Sequence, residues 1–318
     1  MIPSVAHLVW LGSRFCWVNA LAVVSAARGG RFERVVLHTD SDLSGTAHWS
    51  ALSRLPGFEA RPLVLEDVAR AAAVPLPRLS ALLARLPSPA ARSDLLRAAI
   101  LAGRGGVYLD ADTVTLAPLD DLRAGGGAFC GEERVCFPGW SQSRPGPAGQ
   151  TRAWALTALR FLLRLLPRGF VAFRQVEPLY ALQVNNAVLG AEAGHPLLHA
   201  YLEAMLSMAP EQAARPYAIG PDLLAAVLAR QRSSGVRVLP PSWFYPMPPE
   251  ISEHWWARSA DPRADLARIL HGTRVVHWYA SVRNRRRAAR VDPAYVRAHQ
   301  GRQLFSALAA RFLGDFES

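Results

Sequence analysis

Apolar segments typical of strands alternate with helical segments through residues 1–115, and this alternation limits the fold more than any other feature of the sequence. Strands joined by helices form a mostly parallel sheet with helices on its faces. We therefore predict an α/β fold of this doubly wound kind. The predicted strands are VAHLVWL (5–11), RVVLHTD (34–40), EARPLVL (59–65) and GGVYLDADTV (105–114).

Helices separate these strands. CWVNALAVVSAAR (16–28) ends at two glycines, helical material continues to about residue 86, and SDLLRAAILAG (93–103) follows. Ser93 is a good N-cap for this last helix and Gly103 a good stop. The pattern loosens after residue 115. We predict further helices over 151–170, from His195, after Gly220-Pro221 and over about 293–312, and further strands over 185–191 and 274–280.

The composition indicates a globular, soluble chain. It is 51% hydrophobic and 19% charged, with no run of 18 uncharged apolar residues and no secretory signal. Cys16, Cys130 and Cys136 lack metal or disulfide spacing, which favours a reducing cytoplasm. The net charge of +11 comes entirely from arginine, a bias typical of GC-rich coding sequences. The charge is therefore weak evidence for an anionic partner, and RNRRRAAR (283–290) is interpreted as a solvated linker.

The helix TRAWALTALRFLLRLLPRG (151–169) is amphipathic. It either packs on its own domain or makes peripheral contact with a membrane surface. In the membrane arrangement, Trp154, Phe161 and the leucines would enter the lipid, while lipid phosphates would bind Arg152, Arg160, Arg164 and Arg168.

Asp110 and Asp112 follow a short apolar run. On a strand, the two-residue period would place both carboxylates on one face, with Ala111 pointing away. Two carboxylates that close repel each other unless a positive group, such as a divalent metal or an arginine cluster, lies between them. Alternatively, an aspartate at a strand end caps the following turn.

Asp94 and Arg97 begin the preceding helix and share one of its faces at i, i+3. An acidic residue in a first turn also interacts favourably with the helix dipole, which would explain Asp94 without a ligand. The ordered series SDLLRAAILAGRGGVYLDADTVTLAPLD (93–120) brings this helix start, a glycine turn and the two aspartates together.

This series resembles the sugar-binding DXD region of GT-A glycosyltransferases, the group that contains yeast initiating mannosyltransferases, α-1,4-galactosyltransferases and clostridial glucosylating toxins. Bacterial capsular-polysaccharide enzymes are the members it is most similar to. Weaker likenesses follow in order along the chain, in IPSVAHLVWLG (2–12), RVVLHTD (34–40), QVNNAVLGAEAGHPLL (183–198), YAIGPDLL (217–224), VLPPSWFYP (238–246) and VVHWYASV (275–282). The resemblance implies a GT-A catalytic domain over 1–282, with a basic linker and a C-terminal helix over 283–318.

The resemblance also implies a reaction and a set of site residues. The enzyme would transfer a sugar from a nucleotide-sugar donor, with a UDP-sugar favoured over GDP-mannose, to a glycan or lipid-linked acceptor with retention of configuration. Mn²⁺, or Mg²⁺ in its place, would bind Asp110, Asp112 and His277. The implied donor contacts are Trp10, Asp94, Arg97, Tyr108 and Asp110, and the implied acceptor-side residues are Asn185 and Asn186, of which one should face the site.

Simpler roles remain open for several of these residues. Trp10 and Tyr108 could instead pack in the hydrophobic core, and His277 could be an ordinary histidine at a strand end. Glu132 and Glu133 follow the aspartates closely enough to lie on the acceptor side, although exposed loop acids are the default.

Two other functions fit parts of the sequence. VYLDADTVTL also matches the nucleophile strand of HAD-type phosphatases, but that chemistry requires a lysine and the chain has none. A noncatalytic, arginine-rich module that binds nucleic acid or membrane would leave the aspartates without a role, so no nucleic-acid partner is expected.

Overall fold

The structure, a computed structural model, describes residues 1–139, 146–231, 235–280 and 284–316. The strands are β1 Val5–Trp10, β2 Arg34–Thr39, β3 Phe58–Pro62, β4 Gly106–Leu109, β5 Thr113–Thr115, β6 Ala128–Val135, β7 Ala181–Ala191, β8 Val236–Leu239 and β9 Val275–His277. The helices are α1 Trp17–Gly29, α2 Trp49–Ser53, α3 Leu65–Ala71, α4 Leu76–Arg85, α5 Pro89–Arg104, α6 Asp120–Ala124, α7 Pro147–Leu165, α8 Gly169–Val176, α9 Pro196–Leu206, α10 Pro210–Ala213, α11 Pro221–Gln231, α12 Pro241–Phe244, α13 Pro262–Ile269, α14 Arg285–Ala288, α15 Pro293–His299 and α16 Leu304–Ala309. Short 3₁₀ segments span Glu177–Leu179, Pro249–Trp256 and Ala310–Phe316.

A seven-stranded sheet forms the centre of the molecule, in the order β3-β2-β1-β4-β7-β6-β8. In the described residues, neighbouring strands are parallel except where β7 pairs with β4 and β6. An apolar core lies on each face of the sheet, with α1 and the C-terminal elements on one side and α5, α9 and α11 on the other. The predicted α/β fold with a mostly parallel, helix-flanked sheet is therefore confirmed.

The reversed direction of β7 brings its first half to the edge where the parallel strands end. Asn185 and Asn186 lie in that half, and the backbone N–H of Asp110 donates to the carbonyl of Ala187 at 2.9 Å. Residues that are 77 positions apart in the sequence therefore meet at one edge of the sheet.

A second, two-stranded sheet brings a late segment to the same place. β5 pairs antiparallel with β9, and Thr113 is the partner of His277. β4 ends at Leu109, and a turn over residues 111–112 separates it from β5. The expectation that Asp110 and Asp112 alternate on one strand is therefore wrong, because Asp112 lies in a turn that Thr113 closes by donating to the carbonyl of Asp110.

The helix before the aspartates begins earlier than predicted. Ser88, not Ser93, is the N-cap of α5, and its hydroxyl accepts from the N–H of Ala91 at 3.2 Å. Pro89 occupies the first helical position, where its fixed φ angle and missing N–H are favourable. Gly103 does not end the helix either. It allows close packing, since a Cβ there would lie 2.4 Å from the backbone of Ala71.

The C-terminal segment does not form the single predicted helix over 293–312. It breaks into α15, α16 and a 3₁₀ segment, with a turn around Gly301 between the two helices. Phe305 is fully buried and stacks on Trp256 with ring centroids 4.6 Å apart. This segment therefore belongs to one of the two apolar cores.

Helix α7 and the turn that follows it pack on the domain through arginines. Arg160 pairs with Glu250, Arg164 with Glu253, and Arg168 with Asp265. The expectation that these arginines bind lipid phosphates is wrong for them, because carboxylates of the chain already occupy their guanidinium groups. The apolar stripe of the helix faces outward, with Trp154, Phe161, Leu162 and Leu165 each at least 60% exposed. No helix in the described part of the chain is long and apolar enough to span a bilayer.

A buried histidine pair joins β1 and β2. His7 Nδ1 lies 3.0 Å from His38 Nε2, and His7 Nε2 lies 3.1 Å from the carbonyl oxygen of Gly105. Because a carbonyl only accepts, His7 carries its proton on Nε2 and accepts from His38 through Nδ1. Both rings are therefore neutral, and burial lowers the pKa of His7 to about 4 and that of His38 to about 2.

This pair should make the fold sensitive to acid. In the unfolded chain both histidines titrate near 6.5, so below that pH the unfolded state binds more protons than the folded state. The free energy of unfolding should therefore fall as the pH drops from 7 to 5, by about 2 kcal/mol for each histidine. Urea unfolding at several pH values measures this loss.

The variant His38→Gln should lose less stability over the same interval. His271→Gln, which alters an exposed histidine, provides the matched control and should keep the wild-type slope. An acid-induced loss in His38→Gln as large as that of the wild type would contradict the assignment.

Candidate active site at the carboxyl edge of the sheet

Arg97 lies at the centre of a buried polar cluster, with 4% of its side chain exposed. Its Nη2 lies 2.7 Å from Asp110 Oδ1 and 3.2 Å from Asp94 Oδ1, and its Nη1 donates to the carbonyl of Asn186 at 2.5 Å. The guanidinium lies over the ring of Tyr108, 4.4 Å from its centroid. Burial alone would lower the pKa of Arg97, but Asp110 and its neighbours raise it above its ordinary value. The cation is therefore permanent and held by three elements.

Asp94 lies one turn before Arg97 on α5, and its carboxylate is held on two sides. Asn186 Nδ2 donates to Oδ1 at 2.8 Å. Oδ2 faces Gly220, where an added Cβ would lie only 2.7 Å away, so a side chain at this position would displace the Asp94 carboxylate. The Tyr201 hydroxyl fixes the loop by donating to the carbonyl of Gly220 at 2.9 Å. Burial raises the pKa of Asp94 to about 6, although the charge of Arg97 opposes the rise.

Asp110 is positioned by the residues before it. Its Oδ1 accepts from the Tyr108 hydroxyl at 2.9 Å as well as from Arg97. Tyr108 is 1% exposed, so the structure places its ring in the core, with its hydroxyl on Asp110. Burial raises the pKa of Asp110, with the nearby charge of Asp112 adding to the effect and Arg97 opposing it.

Asp112 has a different set of partners, all from the segment around β9. Its Oδ1 lies 3.0 Å from His277 Nε2, and its Oδ2 accepts from the N–H of Ala280 at 2.7 Å. Burial would raise the pKa of Asp112, but the charge of His277 and these hydrogen bonds lower it below its ordinary value. The Asp112 carboxylate likewise raises the pKa of His277 against the effect of burial.

These residues provide the donor set of a divalent metal site. One ligand atom from each of Asp110, Asp112 and His277 lies within 4.8 Å of the other two. Two carboxylate oxygens with one imidazole nitrogen suit Mn²⁺, and the hard carboxylates also suit Mg²⁺. The Nδ1 atom of His277 is buried and has no hydrogen-bond partner among the described residues. The side chains therefore fit the expected cation.

The two neighbouring asparagines serve different parts of the site. Asn186 joins the Asp94 cluster, whereas Asn185 Nδ2 donates to Glu133 Oε1 at 2.7 Å. Glu133 also accepts from the Tyr279 hydroxyl at 2.6 Å, and the Tyr279 ring lies 4.1 Å from that of His277. Glu133 is thus a buried member of the site rather than an exposed loop acid, and burial raises its pKa.

Trp10 lies at the same edge of the sheet, because β1 is the direct neighbour of β4. It is half-buried and packs edge-to-face on Phe15, with ring centroids 5.3 Å apart. Its indole N–H is buried and has no partner in the described ranges. The structure thus shows packing for Trp10 and leaves its proposed contact with a nucleotide base untested.

Several residues of the site were not predicted. Tyr201, Tyr279 and Gly220 were given no role in the site, and Glu133 had only a weak one. The pairing of Glu133 with Asn185 depends on the register of β6 and β7, which is set by distant backbone contacts. Tyr279 has a positive φ of 57°, a strained conformation for a bulky residue that no local sequence signal indicates. The position of Gly220 could have been predicted from the sequence, because this glycine directly precedes Pro221, where α11 begins.

Residues 31–126 match the family model described as "glycosyltransferase sugar-binding region containing DXD motif". This segment is thus similar to a glycosyltransferase sugar-binding region. It contains Asp94, Arg97, Tyr108 and both aspartates of the DXD motif, whereas His277 and the two asparagines lie outside it. The predicted transferase class is thereby confirmed, and the match does not favour a phosphatase or a noncatalytic binding module.

Three solved structures similar to the chain are also glycosyltransferases. They are the PaToxG glycosyltransferase (15% identity, 72% of this chain and 70% of that one, TM-score 0.44), mouse xyloside xylosyltransferase 1 in its apo form (13%, 86% and 96%, 0.45) and the galactosyltransferase LgtC in complex with donor and acceptor sugar analogues (11%, 99% and 96%, 0.44). Likeness at this level does not extend to substrate or mechanism. No curated protein matches the chain.

Removing the guanidinium of Arg97 from the centre of the buried polar cluster should destabilise the fold. Arg97→Met leaves Asp94 and Asp110 buried without their counter-charge, and we expect it to lower the free energy of unfolding by about 3–5 kcal/mol. Urea unfolding at pH 7 measures the change. The double variant Arg97→Met/Asp110→Asn should recover part of the loss, because it also removes a buried charge.

Arg85→Met is the matched control, since Arg85 is exposed on a neighbouring helix, and it should behave like the wild type. If Arg97→Met lost less than about 1 kcal/mol, Arg97 would not be the central contact of the cluster.

Proposed function

We propose that this glycosyltransferase moves a sugar from a nucleotide-sugar donor to a glycan or lipid-linked acceptor and depends on a divalent cation. The observation that carries the proposal is the grouping of Asp110, Asp112 and His277 at the carboxyl edge of the sheet. Two of these three residues are the DXD motif of the matched sugar-binding region. Ligands of open α/β sheets bind at this edge.

The cation would be Mn²⁺, with Mg²⁺ as the alternative, held by Asp110, Asp112 and His277. When bound, it supplies charge stabilisation for the diphosphate that leaves the sugar. The chain's own contribution is a preorganised set of charges. Arg97 and Tyr108 hold one carboxylate in place, and Ala280 holds the other through its backbone N–H.

The donor would lie across the ends of β1 and β4, with Asp94 and Arg97 on the side of the sugar and its phosphate. A carboxylate accepts from sugar hydroxyls, and a guanidinium matches a phosphate oxygen. Trp10 would offer an aromatic surface to the base. A UDP-sugar is the favoured donor and GDP-mannose the second choice, as the resemblance of the DXD series implies.

Transfer with retention of configuration is what the resemblance of the DXD series implies, and the buried carboxylates nearest the proposed cation already have partners in the chain. Asn185 and Tyr279 both donate to Glu133, and Arg97 pairs with Asp94 and Asp110. In the proposed step, the bond from the anomeric carbon to the diphosphate oxygen breaks. The acceptor oxygen then bonds to that carbon on the same face, and its proton passes to the departing diphosphate.

An apolar cavity beside the site supports an acceptor with an apolar portion. The cavity has a volume of about 380 Å³, and Leu182, Val184 and Leu228 contribute to its lining. Val184 precedes Asn186 by two residues on β7, so both side chains point to the same face of the sheet. A lipid-linked acceptor could therefore place its sugar near Asn186 and its apolar portion in this cavity.

The outward face of α7 supports a location at the inner face of a membrane for a cytoplasmic enzyme. Trp154, Phe161, Leu162 and Leu165 form an exposed apolar stripe. Five of the seven arginines between Arg134 and Val176 pair with carboxylates of the chain, so the apolar stripe itself is the feature that favours a membrane surface. We assign the stripe to such a surface, into which it would insert at the level of the headgroups.

The cation-dependent reaction can be tested across a panel of nucleotide sugars. Mn²⁺ should permit donor hydrolysis or transfer with at least one donor, EDTA should abolish it, and added Mn²⁺ should restore it. Asp112→Asn should lower the rate about 100-fold or more, since it removes a charged ligand of the cation. Product formation is followed by release of the nucleoside diphosphate.

The control for this test is Asp120→Asn, which alters an exposed carboxylate on α6 and should leave the rate unchanged. Lack of activity with every donor, or equal rates for Asp112→Asn and the wild type, would refute the proposal. Mn²⁺ binding followed by electron paramagnetic resonance separates a failure of metal binding from a wrong choice of donor.

Membrane docking can be tested by cosedimentation with phosphatidylglycerol vesicles. Phe161→Ser should weaken binding about tenfold or more, because one large apolar side chain no longer enters the lipid. Val64→Ser, at an exposed apolar position outside α7, should bind like the wild type. Equal binding by all three proteins would refute the assignment, as would a concentration-dependent dimer that Phe161→Ser abolishes while vesicles remain unbound.

A further inference from the structure

A second cavity lies at the other end of α5 from the active site. It has a volume of about 350 Å³, and the apolar residues Val5 and Val36 contribute to its lining together with His7. Arg104, in the last turn of α5, also lines it. Ten residues separate Arg104 from Asp94, which corresponds to about 15 Å along the helix axis. The cavity is therefore separate from the proposed donor site.

Three arginines from three elements line this cavity. Arg34 begins β2, Arg61 lies on β3, and Arg104 ends α5. Arg61 pairs with Glu59 at 2.6 Å. In the described ranges Arg34 and Arg104 form no ion pair, and the Nε atom of Arg104 is buried without a hydrogen-bond partner. Two of the three guanidinium groups around the cavity thus form no ion pair, and the carboxylates of Asp67 and Glu59 act on Arg104 only from a longer distance.

The neighbouring groups experience this excess of positive charge. Burial and the charge of Arg61 both lower the pKa of Arg104. Burial, together with the charges of Arg104, Arg61 and Arg34, holds His7 in its neutral form. The helix dipole explains an arginine in the last turn of α5, but it does not explain Arg34 at the start of a strand. The excess charge is therefore a property of the cavity and not of one helix end.

We propose that this cavity binds a small phosphate-bearing anion. Guanidinium groups donate pairs of parallel hydrogen bonds to phosphate oxygens, and Arg34 and Arg104 each provide such a group in the lining of the cavity. The volume lies at the lower end of the range for small-molecule sites, so it accommodates inorganic phosphate or a sugar phosphate. A bound dianion neutralises Arg34 and Arg104 and removes the repulsion between them.

Isothermal titration calorimetry with inorganic phosphate and with glucose 6-phosphate tests the proposal without reference to catalysis. Chloride buffers of equal ionic strength provide the reference. Wild-type protein should bind at least one of the two anions and unfold at a higher temperature in its presence. Arg34→Gln and Arg104→Gln should each weaken binding about tenfold, the effect of losing one hydrogen bond to a charged group.

A second measurement separates a binding role from a structural one. In chloride alone, Arg104→Gln should raise the melting temperature, because it relieves repulsion, whereas a structural arginine would lower it on removal. Arg85→Gln, at an exposed position on α4, is the control and should change neither property.

A vesicle-binding measurement distinguishes a free phosphate-bearing anion from a lipid headgroup as the occupant of the cavity. Binding to phosphatidylglycerol vesicles that Arg34→Gln and Arg104→Gln abolish, while both free anions fail to bind, would assign the cavity to a lipid headgroup. Anion binding that is unchanged in both variants, or no binding of any phosphate-bearing probe, would overturn the proposal.

Discussion

The buried guanidinium of Arg97 joins the three elements that form the candidate active site. It pairs with Asp94 on its own helix, with Asp110 after β4, and with the backbone of Asn186 on β7. A charge removed from water is tolerated only when its partners are close and well oriented, so each of these contacts restricts the others. The relative positions of α5, β4 and β7 at the carboxyl edge therefore depend on one side chain. The antiparallel direction of β7 makes this possible, because it brings Asn186 to the edge where β4 ends.

The two aspartates of the DXD motif have separate counter-charges. Asp110 is held by Arg97, which comes from the preceding helix, whereas Asp112 is held by His277 from a strand much later in the chain. Their pKa values move in opposite directions, since burial dominates at Asp110 and the partners dominate at Asp112. The repulsion expected between the carboxylates is thus moderated by groups of the protein itself. In the proposed reaction, a cation would join an arrangement that already contains one arginine and one histidine.

Local patterns were sufficient to predict β1, β2 and α1, because apolar periodicity and turn residues act over short distances. Local patterns were insufficient where two structural alternatives fit the same stretch of sequence equally well. Ser88 and Ser93 are both good N-caps, and Pro89 decides between them. The periodicity of α7 defines two faces but not the one that packs, which depends on Glu250 and Glu253. For the site, the sequence indicated Asp94, Arg97 and both aspartates, whereas the role of His277 came from the family resemblance. Its pairing with Asp112 requires the β5–β9 sheet, which no local pattern indicates.

The pairing of β5 with β9 has a consequence for how the protein is made. Asp112 and His277 are 165 residues apart. At ordinary rates of synthesis, roughly 10 to 30 s pass between the two residues. Throughout that interval the sheet strands β1 to β4 are already available, but Asp112 has no counter-charge from β9. Asp112 thus gains its partner from a segment that arrives long after it, and the nascent chain cannot bring the two side chains together until residue 277 has been translated.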